Sequence, residues 1–155
     1  MAPVADETPK LRPYTPADEG AAIALWQRTW QQAYPQIDFA ARLEWWRTRW
    51  RNELVPKAEI VVAAEIDGGA LIGFVTIDRE GYLDQLLVAS EHWGSGAADQ
   101  LLEEAMRVSP TGISLLVNTD NARAIRFYER WGFVRAGEDV NPTSGGPVLK
   151  MEWRP

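Results

Sequence analysis

The chemistry in this chain is concentrated in two short stretches. The first is Leu86-Leu87-Val88-Ala89-Ser90-Glu91-His92-Trp93-Gly94-Ser95-Gly96-Ala97-Ala98, an apolar run that enters a glycine-rich turn and then opens a helix. Gly94 and Gly96 allow a tight turn and a close approach of backbone to ligand. The amides of the first helical turn, about Gly96 to Asp99, face whatever fills that turn, and such an end binds phosphate through N–H donors and the helix dipole. The plainer reading is a strand-to-helix turn that needs glycine for packing alone. The stretch has no Lys-Ser/Thr of a triphosphate loop and comes too late in the chain for a dinucleotide fold. The second stretch runs from Leu115 to Phe133. Its strand ends at Asn118 and its helix starts at Asn121, so Asn121, Ala124 and Tyr128 share one helical face and can look into one cleft. The plainer reading of Tyr128 is an amphipathic core tyrosine.

The elements that must position these residues are legible from periodicity. Lys10 to Tyr14 reads as a strand. Thr15-Pro16-Ala17-Asp18 is a helix start with a capping-box pattern, followed by Ile23, Trp26, Trp30, Ala33 and Tyr34 at helical spacing up to Pro35. A second helix is expected from about Phe39 to Leu54, ended by Pro56. Ile60 to Ile66 and Ala70 to Ile77 form a hairpin about Asp67-Gly68-Gly69. Tyr82 to Val88, Gly112 to Val117, Phe133 to Gly137 and Val148 to Trp153 are strands, and Ala97 to Val108 and Asn121 to Trp131 are helices. Gly132 terminates the last helix. The order β-αα-βββ-α-β-α-ββ predicts a three-layer α/β (α+β) domain with a mixed central sheet of six to seven strands and about four helices. With no repeat and no linker, residues 1–155 read as one domain with a loose arm over residues 1–9.

Composition narrows the chemistry. The chain has no cysteine and one histidine, His92, which excludes thiolate zinc sites, disulfides and a cysteine nucleophile, and no metal site is expected. The formal charge of −6 is the wrong balance for a nucleic-acid binder. No apolar run reaches the ~20 residues of a membrane span, and residues 1–10 lack a signal-peptide pattern, so a cytoplasmic protein without membrane partners is expected.

Taken together, the two stretches resemble the GNAT superfamily of acyl-CoA-dependent N-acetyltransferases. Trp93-Gly94-Ser95-Gly96-Ala97-Ala98 is similar to its Gln/Arg-x-x-Gly-x-Gly/Ala pyrophosphate motif. Asn121, Ala124, Phe127, Tyr128, Gly132 and Phe133 match its Asn-x-x-Ala-x-x-Phe-Tyr-x-x-x-Gly-Phe motif. The element order agrees over nearly the whole chain, including the opening Leu11-Arg12-Pro13 strand, Asp18 in the first helix and the closing Leu149-Lys150-Met151 strand. The resemblance implies acetyl-CoA as acyl donor, held where the fourth and fifth strands splay apart. Its pyrophosphate would lie on the amides of Gly94 to Ala98, and its pantetheine would pair with the backbone near Leu86 and Val88. It implies Tyr128 as the acid that protonates the departing thiolate, a role its ordinary pKa near that of a thiol suits. The Leu87 amide would steady the oxyanion, and Asn118, Asn121, Ala124 and Phe127 would line the cofactor. Trp93 departs from the motif by replacing a polar phosphate contact, and Asp99 places a negative charge near the phosphates. No glutamate stands beside Asn118 on the fifth strand, which leaves Asp84, then Glu65, or water as the base. His92 reads as an exposed loop residue.

The resemblance makes the first two helices the acceptor wall, for a primary amine of a small molecule or a peptide. Trp26, Trp30, Tyr34, Trp45 and Trp46 fall there. Core packing accounts for most of them, and Trp30, Tyr34 and Trp45 are the candidates for substrate contact by stacking or cation–π attraction. The same aromatics could instead form a homodimer patch. Arg42, Arg47, Arg49 and Arg51 read as a solvated face paired with Glu44 and Glu53, or else as a site for an anionic substrate group. Two other readings stay open: a non-catalytic acyl-CoA sensor using the same cleft, and an interaction domain whose glycines only shape a turn.

Overall fold

The computed structural model describes residues 9–65, 69–141 and 145–155. Residues 1–8 of the expected arm, the last residue of the expected Ile60 to Ile66 strand, the first two residues of the Asp67-Gly68-Gly69 turn and Pro142-Thr143-Ser144 lie outside the described residues. In chain order the elements are β1 (Lys10–Pro13), α1 (Glu19–Ala33), α2 (Leu43–Arg49), α3 (Val55–Lys57), β2 (Ala58–Ala64), β3 (Leu71–Asp78), β4 (Leu83–Val88), α4 (Ala97–Val108), β5 (Ile113–Asn118), α5 (Ala122–Arg130), β6 (Val134–Val140) and β7 (Pro147–Trp153). The expected order is found.

The strands form two antiparallel groups, β1-β2-β3-β4 and β5-β7-β6. They meet at one parallel bridge, Tyr82 to Ser114, where the Ser114 amide donates to the Gly81 carbonyl at 2.9 Å. Beyond that point no β4–β5 ladder continues among the described residues, so the two strands open as a V from its apex at Tyr82 and Ser114. Gly81 makes the apex possible: its φ is +81°, and a Cβ there would sit 2.5 Å from the Gly112 carbonyl oxygen.

Successive residues along a strand face opposite sides. Val62 and Phe74 pack against α1 and α2 with Trp26, Trp46 and Trp50, whereas Ala63 and Val75 join Leu101, Leu102, Ile125 and Tyr128 on the α4–α5 side. Trp46 and Trp50 are almost wholly enclosed, and burial of side chains this large is worth about 2–3 kcal/mol each. Trp26 is buried with them and Trp30, Trp131 and Trp153 pack against the two cores, so most of the tryptophan excess is structural.

Two boundaries of the second helix differ from expectation. Phe39 to Arg42 form turns, and α2 begins at Leu43. These turns are held by Gln31, which donates to the Ile37 carbonyl at 2.7 Å and accepts from the Phe39 amide at 3.2 Å. At the other end Pro56 does not stop the helix. The chain passes through a π-turn over Trp50–Leu54, where the Val55 amide reaches back to the Trp50 carbonyl, and carries on through Pro56 to Lys57. Pro56 has no N–H to close the usual bond, so the ladder loosens by one residue there instead of breaking.

Candidate active site

A cleft of about 610 Å³ lies between the arms of the V, walled by β4, β5, the end of α1, α2 and the start of α5. Of the residues singled out from sequence, Asp84, Leu86, Leu87, Asn118, Asn121, Ala124, Tyr128, Trp30, Tyr34 and Trp45 line it. Val88, Phe127 and the turn Trp93–Ala98 are not part of that wall. Phe127 instead packs edge-on against Tyr128, with Arg130 over its ring.

Tyr128 is buried to 7% exposure, braced by Phe127 and Phe133, whose ring centroids each lie 5.3 Å from its own. Its hydroxyl makes no recorded hydrogen bond among the described residues. Burial pushes the phenol well above its ordinary value near 10, so the group stays protonated throughout the neutral range but no longer matches the thiol range that its ordinary value suggested. Asn121 caps α5 by accepting from the Ala124 amide at 3.2 Å. That bond fixes the first turn of the helix that carries Tyr128.

The main chain of β4 alternates in direction. The Gln85 amide donates to Thr76 on β3 at 3.0 Å, and the Ala89 amide donates to the Ile72 carbonyl at 2.8 Å. Residues 85, 87 and 89 therefore face β3, and Leu86 and Val88 turn their amides toward the open side. This corrects the expectation for Leu87: its amide is directed at β3, and only its side chain meets the cleft. The irregularity between Thr76 and Ile77 opposes Gln85 to Thr76 and Leu83 to Ile77, leaving Asp84 as the extra residue of a bulge. Asp84 is gripped on both oxygens by Arg49, with Arg49 Nη1 at 3.0 Å from Oδ1 and Nη2 on Oδ2, and it also accepts from Gln85. A carboxylate held this way is a positioned ion-pair partner. The second base candidate, Glu65, lies 3.1 Å from His92 Nε2 and is not in the cleft wall. His92 is thus a half-buried partner of Glu65, not a free loop residue.

At the open end of β4, Gly94 and Gly96 adopt φ of +84° and +89°. A Cβ at either would meet nothing within 4 Å, so backbone conformation, not packing, demands glycine there. Among the amides of this turn, Ser95 donates to the His92 carbonyl and Ala97 to Ser95 Oγ, at 3.2 and 3.3 Å. Those of Gly94, Gly96, Ala98 and Asp99 have no recorded acceptor among the described residues. Two of these six amides are therefore taken, and four are left for a ligand, as a diphosphate cradle requires.

Both departures from the motif have structural partners. The Trp93 indole donates to the Val88 carbonyl at 3.0 Å, and its exposed ring carries the Arg123 guanidinium, 3.5 Å from the centroid. Asp99 accepts from the Trp131 indole at 2.7 Å. The acceptor wall has its own network: Tyr34 Oη donates to Asp120 Oδ1 and accepts from Asn118 Nδ2, both at 2.8 Å. Burial, then the bond to Asp120, raises the Tyr34 phenol. Trp30 stacks on Tyr34 at 5.7 Å, and Trp45 is 44% exposed beside Trp46. In the arginine cluster, Arg47 pairs with Glu44, Arg49 with Asp84 and Glu53, and Arg51 with Glu19. Arg42 lies over Phe39 without a recorded carboxylate partner among the described residues.

A sheet that parts into a V, a glycine turn with free amides at its open end and a tyrosine helix beneath define an acyl-CoA-dependent acetyltransferase scaffold. The acetyltransferase (GNAT) family model matches residues 21–133, and the chain belongs to that family. Membership makes it an acyltransferase, and the acyl donor of the family is acetyl-CoA. It is 28% identical to the peptidyl-lysine N-acetyltransferase YjaB of Salmonella typhimurium, over 81% of this chain and 83% of that protein. Its fold is similar to that of a Corynebacterium glutamicum structure described as histone acetyltransferase HPA2 and related acetyltransferase (TM-score 0.77, 22% identity, 96% and 97% of the two chains). It is also similar to the PaiA N-acetyltransferase of Thermoplasma acidophilum in complex with coenzyme A (TM-score 0.69, 20% identity, 95% and 99%). Among the described residues no helix is long and apolar enough to cross a membrane.

Proposed function

We propose that this protein transfers an acetyl group to a primary amine of a small molecule or peptide, by direct attack of the amine, with Tyr128 as the general acid. The observation that carries the reading is Tyr128 itself: a buried, protonated phenol in the cleft wall with no hydrogen-bond partner of its own. Acetyl-CoA, when bound, supplies the activated thioester. The free amides of Gly94, Gly96, Ala98 and Asp99 hold its diphosphate, and Trp93 presents Arg123 beside them. The amides of Leu86 and Val88 offer the strand edge on which the pantetheine arm lies, and the oxyanion role passes from Leu87 to one of these two. Asn121 fixes the α5 start, and Tyr128 Oη delivers its proton to the departing sulfur. Both oxygens of Asp84 are engaged by Arg49, so the acceptor loses its proton to water. The name of the Salmonella relative supports a lysine side chain as one acceptor, and Trp30 and Trp45 offer faces against which an aliphatic stem can lie.

Tyr128→Phe removes one oxygen and keeps the packing. The expected result is a fall of about 100-fold in kcat, with acetyl-CoA affinity, read by thermal shift, changed by less than about threefold. Unchanged turnover would remove Tyr128 from the acid role. One observation favours the second reading, a non-catalytic acyl-CoA sensor: the Trp93 indole occupies the Val88 carbonyl, which faces the same side as the proposed pantetheine edge. Thermal stabilisation by acetyl-CoA without thiol release across an amine panel would select that reading.

A further inference from the structure

The cleft wall contains two carboxylates, Asp84 and Asp120, and they differ in what they can still bind. Both oxygens of Asp84 are held by Arg49. Asp120 has one oxygen occupied, by the Tyr34 hydroxyl, and no recorded partner for Oδ2 among the described residues. Tyr34 is in turn held by Asn118. The carboxylate is therefore held directly by Tyr34, from the end of α1, and Tyr34 is itself fixed by Asn118, from the end of β5. Asp120 also directly precedes Asn121, which caps the helix carrying Tyr128. An anion oriented by two elements, with one oxygen unspent and open to solvent, suits a ligand that brings N–H donors and a positive charge. The charged groups elsewhere in the wall, Arg42 and the Arg49–Asp84 pair, offer such a ligand no second free anion.

We infer that Asp120 is the group that recognises the acceptor, binding the ammonium of an aliphatic amine through Oδ2 while Tyr34, itself held by Asn118, keeps the carboxylate in place. This rests on the acetyltransferase reading and narrows its substrate class to amines that are cationic at neutral pH, aliphatic amines and lysine side chains, over neutral arylamines.

The test uses two acceptors of similar bulk, phenethylamine, charged at neutral pH, and 4-ethylaniline, which is neutral there. Binding is read from tryptophan fluorescence, since Trp30 stacks directly on Tyr34, and transfer is read from thiol release. Asp120→Asn is expected to weaken phenethylamine binding and raise its KM by about tenfold or more, with kcat and acetyl-CoA affinity within about twofold of the wild type. 4-Ethylaniline should respond by less than about twofold. Tyr34→Phe keeps the carboxylate and loses its tether, so an intermediate loss of about threefold is expected, and Asp120→Glu should restore part of the charge preference. These two variants also decide the matter if Asp120→Asn fails to fold. Equal effects on both amines, or none on either, would overturn the proposal. A wild-type protein that binds phenethylamine through Asp120 but releases no thiol would instead overturn the acetyltransferase reading and leave the ammonium site standing.

Discussion

Arg123 is held by a ring face and not by a carboxylate, since Trp93 lies 3.5 Å beneath its guanidinium and no acid pairs with it among the described residues. A cation stacked in this way keeps its N–H donors at its edge, free for a phosphate. Trp93 thus removes one polar contact from the glycine turn and recruits another from α5. Trp131, by donating its indole N–H to Asp99, draws that carboxylate toward α5. Arg123→Gln is expected to weaken coenzyme A binding by about 3- to 10-fold and to flatten its salt dependence. Acetyl-pantetheine, which lacks the diphosphate, should bind both forms alike, and equal weakening of the two ligands would show that Arg123 acts only on the fold. The sequence made Gly94, Gly96, Asn121 and Tyr128 legible because each acts through its own local backbone or helix face. Asp120, Arg49 as the partner of Asp84, and Arg123 were not legible as site residues. The partners of the first two stand 86 and 35 positions away, and the ring beneath Arg123 belongs to another element, so no local spacing betrays them.

Between elements, the junction of β1 with α1 is held by charge. Arg12 donates from both terminal nitrogens to Asp18 at 2.7 Å, and the Thr15 amide adds a third bond to the same carboxylate at 2.9 Å. Principally through the Arg12 bond, the Asp18 carboxyl is held down to about 2 from its ordinary 3.8. A group whose pKa is lower in the folded state contributes stability that is complete above its unfolded value and is lost as pH falls through the folded one. The window here runs from about pH 4 down to about pH 2. The half-exposed guanidinium is screened by solvent, so the contribution is about 1–2 kcal/mol. Urea titrations of the wild type and Asp18→Asn should differ by that amount at pH 7 and converge near pH 2. A constant gap across that range would show that the carboxylate charge is not what joins the two elements. The capping pattern Thr15-Pro16-Ala17-Asp18 announced this start in the sequence, whereas the π-turn at Trp50–Leu54 was hidden. It arises from a missing N–H at Pro56 combined with burial of Trp50 and Leu54, and only the packed fold reveals the second of these.

At the scale of the whole molecule, two sheets with separate cores on either face must stay joined at one end and parted at the other. The join is small: the Tyr82–Ser114 bridge and the Ser114 amide on the Gly81 carbonyl, with the turn before β5 braced by the Ser109 hydroxyl donating to the Gly112 carbonyl at 2.6 Å. Its geometry depends on Gly81 having no side chain. A Cβ there would fall 2.5 Å from the Gly112 oxygen and 2.8 Å from Ser109 Oγ, in a backbone conformation L-residues rarely adopt. The backbone oxygen cannot retreat without moving β5, so Gly81→Ala must either shift the apex or bear the strain. The expected cost is about 2 kcal/mol or more, accompanied by weaker acetyl-CoA binding because the arms of the V no longer meet at the set angle. Gly20→Ala is the matched control: it lies in α1 with open space around its Cβ, and alanine there should stabilise the helix by about 0.5–1 kcal/mol. Denaturant midpoints and acetyl-CoA thermal shifts on the two variants separate the outcomes. If Gly81→Ala lost stability but bound acetyl-CoA as the wild type does, the apex would be a structural seam alone, and the width of the cleft would have to be set at its far end, by the Tyr34 tether to Asn118 and Asp120.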